Sequence, residues 1–232
     1  VLRRRGLNLE EGLNDFLAPS ELPDPEAHFN DLSMATERII KACENEERVA
    51  ICGDYDADGI TSTVLLFELF TKLGAHVIPF IPSRKDDGYG LNVKMIDEIY
   101  LREIKLVITV DNGISAFEAI KRASQLGIDL IITDHHRIPN KNIDTYAIIH
   151  PERSPQDSPY KYLAGVGIAY MLADNICIKL NFDIDKTTAR VLYCIGTVAD
   201  MAPLIGANRK WLKEYLPKIN TTKNLGVRAI LK

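Results

Sequence analysis

From Val49 to Ile149 short β-branched runs alternate with stretches of helical periodicity, and that alternation leaves few folds open to the chain. The runs are Val49 to Cys52, His76 to Ile81, Leu106 to Val110, Leu130 to Thr133 and Tyr146 to Ile149. Between them, Thr61 to Leu73 stops at Gly74, and Asn92 to Glu103 sets Met95, Ile96, Ile99 and Tyr100 on one stripe. Ser115 to Leu126 closes at Gly127, with Ser115 and Glu118 spaced as a capping box. Strands separated by helices read as βαβ units, whose crossovers make neighbouring strands parallel. The pattern predicts an α/β fold: a mostly parallel five-stranded sheet flanked by helices.

Flanking segments complete the organisation. Residues 1–45 read as an N-terminal arm, interrupted by Pro19, Pro23 and Pro25, with a helix from about Asp31 to Cys43 and a charged turn at Glu44 to Arg48. The central domain spans 46–205; after the polar loop Pro151 to Pro159 its pattern turns wholly helical, near Ile168 to Leu180 and Thr187 to Cys194. Residues 206–232 read as a helical connector toward a further domain. The 232 residues suffice for one full core. Val1 stands where Met would be, so a fragment or processed product is expected.

Composition removes whole classes. Apolar residues make up 46% and charged residues 26%, which disfavours disordered, collagen-like and coiled-coil chains. The longest apolar run, Val64 to Phe70, is broken by Glu68 and falls far short of the roughly 18 residues a membrane span needs. Arg3, Arg4 and Arg5 are followed by Glu10, Glu11 and Asp15 where a signal peptide is apolar. We therefore expect a cytoplasmic chain with no membrane partner. Cys43, Cys52, Cys177 and Cys194 lack any C-x-x-C spacing and read as buried, reduced thiols.

The chemistry gathers where strands end. Asp54 and Asp56 follow the first strand, Asp111 the third, and Asp134, His135 and His136 the fourth. In an open parallel sheet the carboxyl edge is where ligands bind, so these sequence-distant residues converge. So many carboxylates in one crevice repel one another unless cations neutralise them or some take up protons. Carboxylates with one or two imidazoles suit Mn²⁺ or Mg²⁺, whereas structural Zn²⁺ would recruit thiols. Each residue has an ordinary reading in isolation: Asp58 as a helix cap, Asp111-Asn112-Gly113 as a turn, paired histidines as a solvated loop. Three strands ending this way favour a metal site.

In order and spacing, Gly53 to Gly59 (GDYDADG), Val110 to Gly113 (VDNG), Asp134-His135-His136 and Gly196 to Leu204 (GTVADMAPL) resemble the four motifs of the DHH phosphoesterase superfamily. Ser83 to Leu91 (SRKDDGYGL) and Leu163 to Ala169 (LAGVGIA) are similar to stretches of its RecJ branch, the single-strand-specific DNA exonucleases. The resemblance implies a metal-dependent 5′ to 3′ exonuclease of DNA repair and recombination, acting on single-stranded DNA and carrying two ions, Mn²⁺ or Mg²⁺. It implies that Asp56, Asp111, His135 and Asp200 hold one ion, with Asp54 and the shared Asp111 contributing to a second. His136 would then sit beside the scissile phosphate, with Asp134 orienting the histidines. The pyrophosphatase branch has a His where Ala50 stands here, so the second site has a looser ligand set. RecJ-like chains often have Asn where His150 stands; His28, His76 and His150 read as structural or surface residues.

Several residues keep two readings. Asp58 is a cap or a site residue. Arg84 and Lys85 contact phosphate or belong to a solvated loop. Tyr89 stacks on a base or packs within its loop. Gly165 and Gly167 bring a helix start close to phosphate or only allow tight packing. The net charge of −4 runs against a DNA-handling protein. Removing the six motif aspartates (54, 56, 58, 111, 134, 200) from the 32 acids leaves 26 against 28 basic residues, so the excess acid lies in the proposed site. Two alternatives stand beside the exonuclease: a DHH phosphodiesterase of short oligonucleotides or cyclic dinucleotides, and a non-catalytic single-strand-binding scaffold of replication or repair. Repair or replication proteins are the partners such chains meet, without any one being named by the residues.

Overall fold

The structure, a computed structural model, describes residues 21–83, 90–182 and 186–231. Strands β1 (Arg48–Cys52), β2 (His76–Phe80), β3 (Leu106–Val110), β4 (Asp129–Thr133) and β5 (Ala147–Ile149) form one sheet in the order β2-β1-β3-β4-β5. Every neighbouring pair is parallel, as the alternation predicts. The chain order reverses between β1 and β3, which opens a crevice beyond their carboxyl ends.

The period of two along each strand sorts apolar side chains to two faces. Val49, Ile51, Leu106, Ile108, Val110 and Ile131 face one core, which is covered by α1 (Leu32–Glu44), α2 (Ala57–Lys72), α5 (Gly165–Lys179) and α6 (Thr187–Ala199). Ala50, Cys52, Val107, Leu130 and Ile132 face the other, under α3 (Val93–Leu101) and α4 (Phe117–Gln125). Both faces are buried, so β3 shows no alternation at all and all five of its residues are inaccessible. Helix α5 is buried around most of its circumference, which accounts for its nearly uniform apolar sequence. Helix α7 (Gly206–Tyr215) docks through Trp211 and Tyr215 onto Tyr170 and Tyr193, with ring centroids 5.2 to 6.3 Å apart. The last helix is α8 (Leu225–Ile230).

Local details depart from the sequence reading. Helix α2 starts at Ala57, four residues before Thr61, because Asp56 caps it by accepting the Gly59 N–H at 2.9 Å. Helix α5 starts at Gly165, three residues before Ile168, and α6 runs on to Ala199, five beyond Cys194. The Ser115/Glu118 capping box does not form. Ala116 N–H bonds Gly113 O and Phe117 N–H bonds Ser115 O, so the loop closes first and Ser115 stands one residue outside the N-cap of α4. All four cysteines are free and buried. Among the described residues no helix is long and apolar enough to cross a membrane.

Candidate metal centre

The β1 end delivers Asp54, 3% exposed, and Asp56, whose carboxylate is held at the helix start by the cap just described. The turn between them is tight: a Cβ on Gly59 would stand 2.6 Å from the Asp54 backbone, so only glycine lets α2 begin there. Asp58 faces inward and is 1% exposed. It does not cap its own helix; its Oδ2 accepts the Gly165 N–H at 2.7 Å and its Oδ1 the Val166 N–H at 2.8 Å, so it caps α5. These two amides are therefore engaged, and the reading of Gly165 as a phosphate-binding helix start is corrected: its glycine serves close packing. A Cβ there would lie 2.6 Å from the Cβ of Asp111.

At the end of β3, Asp111 adopts a left-handed backbone, φ +62°, a conformation that costs about 1 to 3 kcal/mol in a non-glycine residue and clusters at functional sites. Its N–H bonds Thr133 O, and its Oδ1 lies 3.0 Å from His135 Nε2. Asn112 is fully engaged: Nδ2 donates to Cys52 O and Val110 O, and Oδ1 accepts from Leu91 N–H. It thereby ties the ends of β1 and β3 to the segment entering α3. Sequence alone singled out Asp111 at this point but gave Asn112 no role.

The β4 end holds the histidines. Asp134 Oδ1 accepts from the His135 and His136 amides at 2.7 and 3.0 Å and pairs with His136 Nδ1 at 2.8 Å, while Oδ2 accepts the Ile114 N–H. His135 Nε2 stands 3.7 Å from Asp58 and 4.0 Å from Asp200. His150, at the end of β5, is wholly buried: Nε2 lies 2.7 Å from the His136 carbonyl, which can only accept, and Nδ1 accepts the Glu152 N–H. These two contacts fix its neutral tautomer. No local sequence signal marked this histidine. Asp200 is the C-cap of α6, followed by Met201 at φ +59° in a Schellman closure, Met201 N–H to Val198 O and Ala202 N–H to Thr197 O. A carboxylate at a helix C-terminus opposes the macrodipole, so capping is not what Asp200 contributes. Arg84, Lys85 and Tyr89 lie outside the described residues.

Three overlapping sets of donors result: Asp54, Asp56 and Asp111; Asp111, His135 and His136; Asp58, His135 and Asp200. Within each, ligand atoms lie within 4.8 Å of one another, and these are the only such sets among the described residues. The electrostatics separate two kinds of acid. Burial pushes Asp111 up to about 7 and Asp58 up to about 6, and raises Asp54 and Asp200 as well, each with neighbouring carboxylates adding to the effect. Asp134 goes the other way: burial works to raise it, but the donors from His136 and Ile114 hold it below the usual carboxylate range. Burial opposes charge on His135 too, yet Asp111, Asp200 and Asp58 bring it up to about 9. His136 is raised by Asp134. The cluster thus favours added positive charge, and a hard divalent cation fits the same oxygen and nitrogen donors.

Fold and site together define an α/β protein with a carboxylate–imidazole centre at the switch point of a parallel sheet. Residues 48–197 match the N-terminal domain of the DHH family, and the chain belongs to that family. Over its whole length it is 37% identical to the single-stranded-DNA-specific exonuclease RecJ of Bacillus subtilis, of which it covers 29%. A crystal structure of exonuclease RecJ bound to manganese superposes with a TM-score of 0.79 at 34% identity, covering 87% of this chain and 51% of that one. RecJ of Thermus thermophilus in complex with Mg²⁺ gives a TM-score of 0.66 at 28% identity, covering 98% of this chain and 28% of that one. The chain spans about a third of the length of the curated relatives it matches.

Proposed function

We propose that this chain is the metal-dependent catalytic domain of a RecJ-type exonuclease that hydrolyses phosphodiesters of single-stranded DNA from the 5′ end. The observation that carries the reading is the meeting of Asp54, Asp56, Asp111, His135 and Asp200 at one rim of the sheet, with the donor sets sharing Asp111 and His135. Similarity to RecJ proteins of known manganese and magnesium complexes supports the choice of metal and polymer.

Two divalent cations, Mn²⁺ or Mg²⁺, would supply a water of lowered pKa and neutralise charge on the scissile phosphate. Asp54, Asp56, Asp111, His135 and Asp200 are the residues proposed to hold them, with Asp111 common to both sites. His136 commits Nδ1 to Asp134, and that pairing raises its pKa, which favours the ring as a proton donor to a phosphate oxygen or leaving group. Asp134 holds both histidine amides and so keeps the DHH turn in one conformation. Arg84 and Lys85 are proposed to grip backbone phosphate and Tyr89 to stack on a base. The boundaries 1–45, 46–205 and 206–232 are proposed as arm, catalytic domain and connector.

The test is release of nucleotides from single strands with a free 5′ end in Mn²⁺. Release that chelation abolishes supports the reading. Dinucleotides cleaved far faster than long strands would transfer the assignment to a short-oligonucleotide phosphodiesterase, and single-strand binding without metal binding would make the chain a scaffold.

A further inference from the structure

We infer that Asp58 is a positioning residue: by gripping the first two amides of α5 it sets the wall against which Asp111 and His135 stand. The inference rests on the metal-centre reading and goes beyond its ligand set. The amides that open a helix lack partners within it, and a carboxylate is the group best suited to satisfy them. Here the carboxylate comes from the first turn of a different helix, 107 residues earlier, and each of its oxygens takes one amide, at 2.7 and 2.8 Å. The clamp is 1% exposed.

What the clamp positions is visible in the contacts around it. Gly165 is drawn in until a Cβ would meet Asp111 Cβ at 2.6 Å, Asp111 Cα at 3.0 Å and Asp58 Oδ2 at 3.0 Å. Asp111, in its left-handed backbone, is thus backed by the α5 start and cannot retreat from the crevice. The same Oδ2 lies 3.7 Å from His135 Nε2, the atom that sits 3.0 Å from Asp111. One carboxylate therefore registers α2, α5 and the β3 and β4 ends against each other. Its short distance to His135 and Asp200 also makes it a rival candidate for a ligand, but its orientation is dictated by two backbone amides rather than by open donors.

The experiment is a Mn²⁺ titration followed by electron paramagnetic resonance, on wild type, Asp58→Asn and Gly165→Ala, with thermal unfolding in chelator beside it. Asn keeps one acceptor and so holds one amide; Gly165→Ala keeps every carboxylate and pushes the wall against Asp111 and Asp58, which its Cβ would meet at 2.6 and 3.0 Å. Both variants are expected to bind as many ions as wild type with affinity about 10- to 100-fold lower, the range for residues that orient ligands. An Asp58→Asn chain one ion short makes Asp58 a ligand and overturns the inference. Wild-type affinity in either variant, whatever the fall in melting temperature, reduces the clamp to a helix cap and overturns it too. Each variant decides alone if the other does not fold. A wild type that binds no Mn²⁺ sinks the metal-centre reading instead.

Discussion

Asp111 unites the centre: it belongs to two of the three donor sets, it touches His135, and it stands in a strained backbone that local sequence does not reward. Asp111→Ala is expected to lower Mn²⁺ affinity by more than about 100-fold and to abolish nucleotide release, since loss of the proposed shared ligand exceeds loss of an orienting one. Unchanged affinity would remove this residue from the ligand set. His150 acts at one remove, through the His136 carbonyl. His150→Ala should reduce turnover about 10-fold or more while leaving the number of bound ions alone. His150→Asn, which retains an amide donor, should restore most of it; equal loss in both variants would leave His150 as core packing. Its neutral ring, lowered in pKa by burial, already donates one hydrogen bond and accepts another.

Among the elements, α2 serves the site twice, with Asp56 as its cap and Asp58 on its inner face. The cap and the proposed ligand role of Asp56 can be separated, because Asn caps as well as Asp but brings no negative charge to a hard cation. In chelator, Asp56→Asn is expected to melt within a degree or two of wild type, whereas Asp56→Ala should lose about 1 kcal/mol. Both should bind Mn²⁺ more weakly; tight binding by Asp56→Asn would show that this carboxylate serves the helix only. Helix α6 presents Asp200 from the opposite end, its C-terminus, where the macrodipole disfavours it. A helix that carries acid at the wrong end is explained by what the acid faces, His135 at 4.0 Å.

For the whole molecule, the raised pKa values of the cluster link stability to pH. His135 sits near 9 in the folded chain against an ordinary 6.5, so its stabilising contribution is complete below 6.5 and is lost as pH rises toward 9. Asp111, near 7 against 3.8, loses stability in the same direction between those values. His150 is lowered and so contributes oppositely, but only below 6.5, and the depressed Asp134 changes only in acid. In chelator the melting temperature is therefore expected to fall from pH 7 to pH 9, and Mn²⁺ should raise it more at pH 8 than at pH 6, because binding displaces protons. A flat or rising profile in chelator would contradict this charge arrangement.

The sequence by itself determined the five strands, their parallel course and the carboxyl ends that bear Asp54, Asp56, Asp111 and the DHH run, because strand and helix periods are local and a parallel sheet gathers its strand ends at one edge. Only the tertiary structure decided that Asp58 caps α5, that Asn112 staples two strands, that His150 holds the DHH turn, and that Ser115 caps nothing. The first three are hydrogen bonds between side chains and backbone groups, most of them from other segments of the chain. Residue spacing carries no trace of such a bond until packing brings donor and acceptor within about 3 Å.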